Sequence, residues 1–514
     1  MKEKCKEQRT LTGRILLLAL GMMLWGGLAM ADRVFYVKTG GSGDGDSWAT
    51  AMGDVQAAID AASSGDSVWI ATGTYYPSAV RELEGAELFG YSFELKDGVS
   101  LYGGFKGNET LLSERRKRKS GGDAWDFSYP TILSQSEGDV GGVIRSGETT
   151  LTVPVVLDGL VIQNGQAVGS GVDGMGGGVQ AMGAIVIRNC LIIGNLARDG
   201  GGLALGGGAT VESCGVFDNE LIEEGWGGKG GGLYLFGDDN MVIGSVFSGN
   251  GCVENGVQNG GGVYATGSGS VIHCTIAGNC AMREGGGVWC EGDVEVTNSI
   301  IWGNAPSLVQ ANGLQENFIC CAIEAGGMGV GIIPLMSENC GSKGIAANEN
   351  WVGGYYVCFH DPANRDFRLG DGSYAINRAL PGVGGVDATG ADLQSLGLPD
   401  IGAYATAAKG NLAADFSVAY PYIYGGWSEI VTQFGIWTPE GCLNEYAGEA
   451  DCVRLTGDVT TSVWTGDWLQ AGPVDITLGY WVTGDEAALW NPESITKRVI
   501  VRPRPLMIQA DDAI

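Results

Sequence analysis

The chain of 514 residues holds 30 lysines and arginines against 59 aspartates and glutamates, a formal net charge of -29, and 90 glycines. Such acidity argues against nucleic acid and anionic membranes as partners and fits an exposed soluble surface or cation binding. The glycines follow no period of three, which excludes a collagen-like chain and assigns them to turns.

The first segment is basic, with Lys2, Lys4, Lys6, Arg9 and Arg14, then apolar from Ile15, and closes on Ala29-Met30-Ala31. That order predicts a secretory signal peptide over residues 1–31 and a secreted or surface-attached mature chain from Asp32. Cys5 lies ahead of the apolar run and is not placed as a lipid anchor. No later apolar run reaches membrane-spanning length, so no transmembrane segment is expected. Residues 34–37 read as a strand, and 39–47 as a turn rich in Gly and Ser. Val55, Ala58, Ile59 and Ala62 fall at helical spacing and predict a short amphipathic helix that caps an open end. A strand at 67–71, a turn at 75–77 and strands within 93–105 follow. The run Arg115-Arg116-Lys117-Arg118-Lys119 reads as a solvated loop. Residues 155–164 match the second half of the repeat that comes next.

Glycine triplets open at Gly176, Gly200, Gly230, Gly260 and Gly285, and each is followed by an aliphatic residue. The units close on Asn195, Asn219, Asn250, Asn279 and Asn304, and variation in length is confined to the stretch after each Asn. Fixed columns lie between: Ile187, Val211, Val271 and Val296; then Cys190, Cys214, Cys274 and Ser299; then Ile192, Val216, Ile276 and Ile301. With one extra residue in the third unit, Val242, Ser245 and Phe247 join them. Period-two alternation in units this short predicts stacked parallel strands, an all-β right-handed parallel β-helix with an asparagine ladder at one bend. Cys190, Cys214 and Cys274 share their column with Ser and read as buried free thiols more than as bridges. Cys442 and Cys452, flanking an acidic loop, are the pair placed as a possible disulfide.

Composition changes after Ala408. Residues 409–503 lack glycine triplets and hold Trp427, Trp437, Trp464, Trp468, Trp481 and Trp490, which predicts a small β-sandwich-like domain. The prolines at 503 and 505 read as a joint, with 504–514 opening a further repeat or forming a terminal strand.

Several phrases together carry a resemblance: Phe35-Tyr36-Val37 with Ser47-Trp48-Ala49-Thr50-Ala51, YGGF at 102–105, PTILS at 130–134, NSIIWGN at 298–304, DFRLGDGSYAIN at 366–377 and DIGAYA at 400–405. Over residues 34–405 the chain resembles right-handed β-helix proteins of the choice-of-anchor Q type, and its glycine triplets are similar to polymorphic outer membrane adhesin repeats. Gly stands where the adhesin motif has Ala, and Ala405 where Glu is expected. Residues from Tyr424 onward resemble YGX-type β-domains. The resemblance implies a bacterial surface protein and brings no catalytic residues.

For chemistry, the sequence offers acidic positions in the third and fifth coils: Asp238, Asp239, Glu291, Asp293 and Glu295. Two coils separate the groups, on the order of 10 Å, and no Lys or Arg is assigned to that face, so acidic turns are the expected reading over a lyase or hydrolase pair. No cofactor is expected beyond calcium at these carboxylates, and zinc spacing is absent. His273 reads as a polar ladder member and Lys229 as a turn residue. The expected function is an adhesive display scaffold without catalysis, engaging a surface glycan or protein of the host or environment. The alternative is a carbohydrate-active protein using the acidic face or the C-terminal tryptophans.

Overall fold

The computed structural model describes residues 33–82, 89–118, 122–222, 228–251, 259–305, parts of 311–335, most of 357–405 and strands between 410 and 501. The segment 1–31, Cys442, Cys452, residues 504–514 and four of the C-terminal tryptophans lie outside the described residues. The chain is a right-handed parallel β-helix. Its strands form one 15-stranded and one 10-stranded sheet with a short 3-stranded sheet beside them, and neighbouring coils pair in parallel.

The predicted columns are rungs of these sheets. Val179, Leu203, Leu233, Val263 and Val288 stack after the triplets. Ile187, Val211, Val242, Val271 and Val296 stack on the second stretch. Ile162, Ile192, Val216, Phe247, Ile276 and Ile301 stack in the 10-stranded sheet. All are buried in one continuous core. Each triplet glycine has its own reason: Gly200 has φ +65°, a Cβ on Gly201 would sit 2.3 Å from the Glu220 carbonyl, and one on Gly202 would crowd the Asn219 amide. The corner before the Cys column is left-handed in every coil, at Asn189, Ser213, Gly244, His273 and Asn298, which limits it to residues that tolerate positive φ.

The asparagines form a hydrogen-bonded chain. Asn219 Nδ2 donates to Asn250 Oδ1 at 2.9 Å and to the Ile192 carbonyl at 3.1 Å, and the Asn219 N–H also reaches Asn250 Oδ1. The pattern repeats from Asn195 to Asn304. Cys190, Cys214 and Cys274 are free and buried, with Ser245 and Ser299 in the same column and Cys321 one coil beyond. The Cys214 N–H donates to Ser245 Oγ, and its thiol points at the Ile187 carbonyl. Burial pushes the Cys274 thiol up to about 12. Cys280, outside this column, is disulfide-bonded.

At the N-terminal end the helix Val55–Ala61, capped by Asp54 accepting the Ala57 N–H, buries Val55, Ala58 and Ile59 in the core. The basic run that follows is solvated only in part: Arg116 and Arg118 are exposed, but Arg115 and Lys117 turn inward. Arg115 is 10% exposed and grips Asp158 at 3.0 Å, with Arg188 at 2.9 Å on the other oxygen. Burial alone would raise the Asp158 carboxyl, but the two guanidinium groups hold it below its ordinary range. Lys117 lies 3.6 Å from the Phe127 ring centroid, and burial brings it down to about 8. A composition-based reading misses this because the partner, Asp158, lies 43 residues away.

The coil stack is described from Val34 to Leu335, and the described residues of 357–405 do not continue it. They form a strap across the outer face of the 10-stranded sheet. A hairpin of Phe359–Asp361 with Asp366–Leu369 opens the strap. Phe367, Ala388, Ala403 and Tyr404 pack on Phe217, Val246 and Ala277, while Ile376 and Ile401 pack on Ile300 and Ala322. Polar contacts fix the register: Ser213 Oγ donates to the Asp387 carbonyl, the Gly402 N–H to the Asn298 carbonyl, and the Ala403 N–H to Thr275 Oγ1.

Beyond the strap, Ala413–Val418 pairs antiparallel with Ile430–Gly435, and Gly472–Val482 pairs antiparallel with Val459–Thr461 and Glu493–Val501.

Candidate functional site

The strap covers one flank of the helix. The flank formed after the glycine triplets carries an outward row instead. Opening residues Leu233, Val263 and Val288 point inward, so the next residue in each strand faces out: Tyr234, Tyr264 and Trp289, in register one coil apart. The Tyr264 and Trp289 rings are stacked, 6.1 Å between centroids and 8° between planes, and Tyr234 meets Tyr264 edge-on. Tyr234 and Tyr264 are buried and Trp289 is half-buried, so the row emerges at the surface in the fifth coil.

Charged groups flank the row. Lys229 Nζ lies 5.3 Å from the Tyr234 centroid and 5.4 Å from that of Tyr264, a distance at which ring quadrupoles attract a cation. Its backbone is not the expected turn but pairs in parallel with Asn259, and its N–H donates to Asp199. Its side chain nevertheless brings a cation to a flank to which the sequence reading assigned none. Glu291, exposed, accepts from the Tyr264 hydroxyl at 2.8 Å and from Trp289 Nε1 at 3.2 Å. Burial, then the Glu291 carboxylate, raises the Tyr264 hydroxyl above its ordinary range. The row is therefore held rigid, with a carboxylate at its open end and an ammonium over its covered end.

The other acidic residues lie beside this row. Asp239 and Asp293 are separated by Ser268: the Asp239 N–H donates to Ser268 Oγ, and Ser268 pairs with Asp293. Two coil rises make about 10 Å, wider than the separations of glycosidase carboxylates. Asp238, Asp239, Glu291 and Asp293 are exposed, and Glu295 accepts from Thr297. Among the described residues no three His, Cys, Asp or Glu side chains gather to hold a metal ion. His273 is 0% exposed, beneath the strap, and burial lowers it to about 4. No substrate reaches it there.

The sequence reading missed Tyr234, Tyr264 and Trp289. The signal was available, as an aromatic residue at the same offset from the triplet in three successive coils.

No protein-family model and no curated protein sequence matches the chain. Among solved structures it is similar to pectate lyase Pel9A, at 13% identity over 74% of this chain and 97% of that one, with a TM-score of 0.41. It is also similar to a pectin methylesterase from Aspergillus niger, at 14% identity over 58% of this chain and 77% of that one, with a TM-score of 0.20. Both values are too low to bear on activity.

Proposed function

We propose that this protein is a secreted, surface-displayed β-helix that binds a neutral glycan at the open end of the aromatic row without cleaving it. The observation that carries this reading is the rigid unit of Trp289 stacked on Tyr264 with Glu291 bonded to both. Aromatic rings offer apolar platforms to the C–H faces of sugars, and fixed carboxylate and ammonium groups serve hydroxyls. Trp289 is the ring of the row that a sugar can reach, since Tyr234 and Tyr264 are buried behind it. The acidity of the chain argues against a polyanionic glycan. The disulfide at Cys280 supports an oxidising compartment, in agreement with the signal segment.

Titration calorimetry of the purified protein against neutral and acidic polysaccharides, with product analysis on the same samples, tests this. Trp289→Ala should weaken binding of the neutral glycan roughly tenfold or more with the circular dichroism unchanged. New reducing or unsaturated ends that vanish in Glu291→Gln or Asp239→Asn would replace the binding reading with an enzymatic one.

A further inference from the structure

We propose that His273 makes the strap acid-sensitive: charging its imidazole frees residues 383–393 and 400–405 from the flank while the coils beneath remain stacked. The left-handed corner column reads Asn189, Ser213, Gly244, His273 and Asn298, and His273 is its one titratable member in these coils. Its ring is wholly buried between Asn298 of the next coil and the strap backbone at Val383, Asp400 and Gly402. Asn298 Nδ2 lies 3.1 Å from Nε2. An amide nitrogen only donates, so Nε2 accepts and the neutral ring carries its proton on Nδ1. Protonation would place an N–H on Nε2 directly against that NH2 group, in a buried contact. Both residues of that contact belong to the coils, and it is the strap that shuts solvent from the ring, so lifting the strap relieves the buried charge.

Burial drives His273 down to about 4. Once the strap lifts, the ring regains its ordinary affinity, so the open form binds more protons across the interval from about 6.5 to 4. The closed form therefore weakens as pH falls through that window. Gly244 and Asn298 face the ring from the coils and are uncharged, whereas from the strap the backbone at Asp400, Val383 and Gly402 and the Asp387 carboxylate favour the charged ring, and burial outweighs them. Asp387 attracts the cation, but its oxygens already accept from Thr389, Ala391 and Ala405. At the outer edge of the strap, Asp123 accepts from Tyr404 and pairs with Arg368, near Asp366 and Asp126. Burial raises that carboxyl, so its protonation favours the closed form and offsets part of the effect.

Hydrogen exchange of the full chain at pH 6.5 and 4.5, corrected for intrinsic rates, tests the idea. Amides at 383–393 and 400–405 should lose protection by more than about tenfold, while those at 203–217 and 263–277 keep theirs. His273→Asn, which installs the residue present at 189 and 298, should hold the strap at both values, and His273→Ser, matching Ser213, provides a second variant. Arg365→Ala, which removes the pair with Asp218, should lower strap protection equally at both values and shows that opening is measurable. The proposal fails if the strap is unchanged at pH 4.5, if the Asn and Ser variants lose it as the parent does, or if coils and strap open together.

Discussion

Between Val179 and Trp302 the inward strand positions have like residues above and below them, as with Ile192, Val216 and Phe247. In the strap, Ile376, Ile401 and Tyr404 are also buried, yet each meets a different kind of partner. Coil burial is periodic and is set by neighbours about one repeat away in sequence. Strap burial is aperiodic and joins residues as distant as Tyr404 and Asp123. One region rests on repetition, and the other on a single fit.

Substitutions can test that contrast. Phe247→Ala should have the largest effect, about 3–5 kcal/mol, because Phe247 is among the largest fully buried side chains. The loss should appear as a lower urea midpoint for coils and strap alike. Asn250→Ala should cost about 2–3 kcal/mol, since it strips the Asn219 N–H and the Val216 carbonyl of their partners. A loss no larger than that of an exposed Asn, by the same measurement, would show that the ladder is not cooperative. Ile401→Ala should cost about 2 kcal/mol, read as exchange at 383–393 and 400–405 with the coil amides unmoved. If the coils respond equally, strap and stack are one cooperative unit. Cys214→Ser should stay under about 1 kcal/mol, because Ser245 and Ser299 already serve in that column. A larger loss by thermal unfolding would mean that the thiol packing is specific.

The same contrast explains what could be read in advance. The glycine triplets, the Asn ladder, the inward aliphatic columns and the capping helix at 55–61 recur or are local, so spacing alone reveals them. The strap has no period. Its words DFRLGDGSYAIN and DIGAYA were visible as a resemblance, but only the structure shows that Phe367, Ile376, Ile401 and Tyr404 are the covering residues. A trace was present all the same: Ile300-Ile301-Trp302 and Val246-Phe247 are apolar on consecutive positions, as expected of a strand covered on both faces. The site was legible only in part. The sequence pointed to Glu291 as a charge, whereas its role beside Tyr264 and Trp289 depends on rungs that are neighbours only once the coils stack. Arg115 was hidden because composition assigns a basic run to solvent, and Asp158 overrules it.

The strap also decides how the molecule bears mechanical load. Among its last described residues, Ala403 is tied to Thr275 on the side of the stack and Ala405 to Asp387 within the strap itself, well before the final described coil strand at Ile333–Leu335. Tension arriving through the chain after Ala405 therefore enters the solenoid from its flank. It is shared among the strap contacts from Ser213 to Ile300 before any terminal coil can be peeled away.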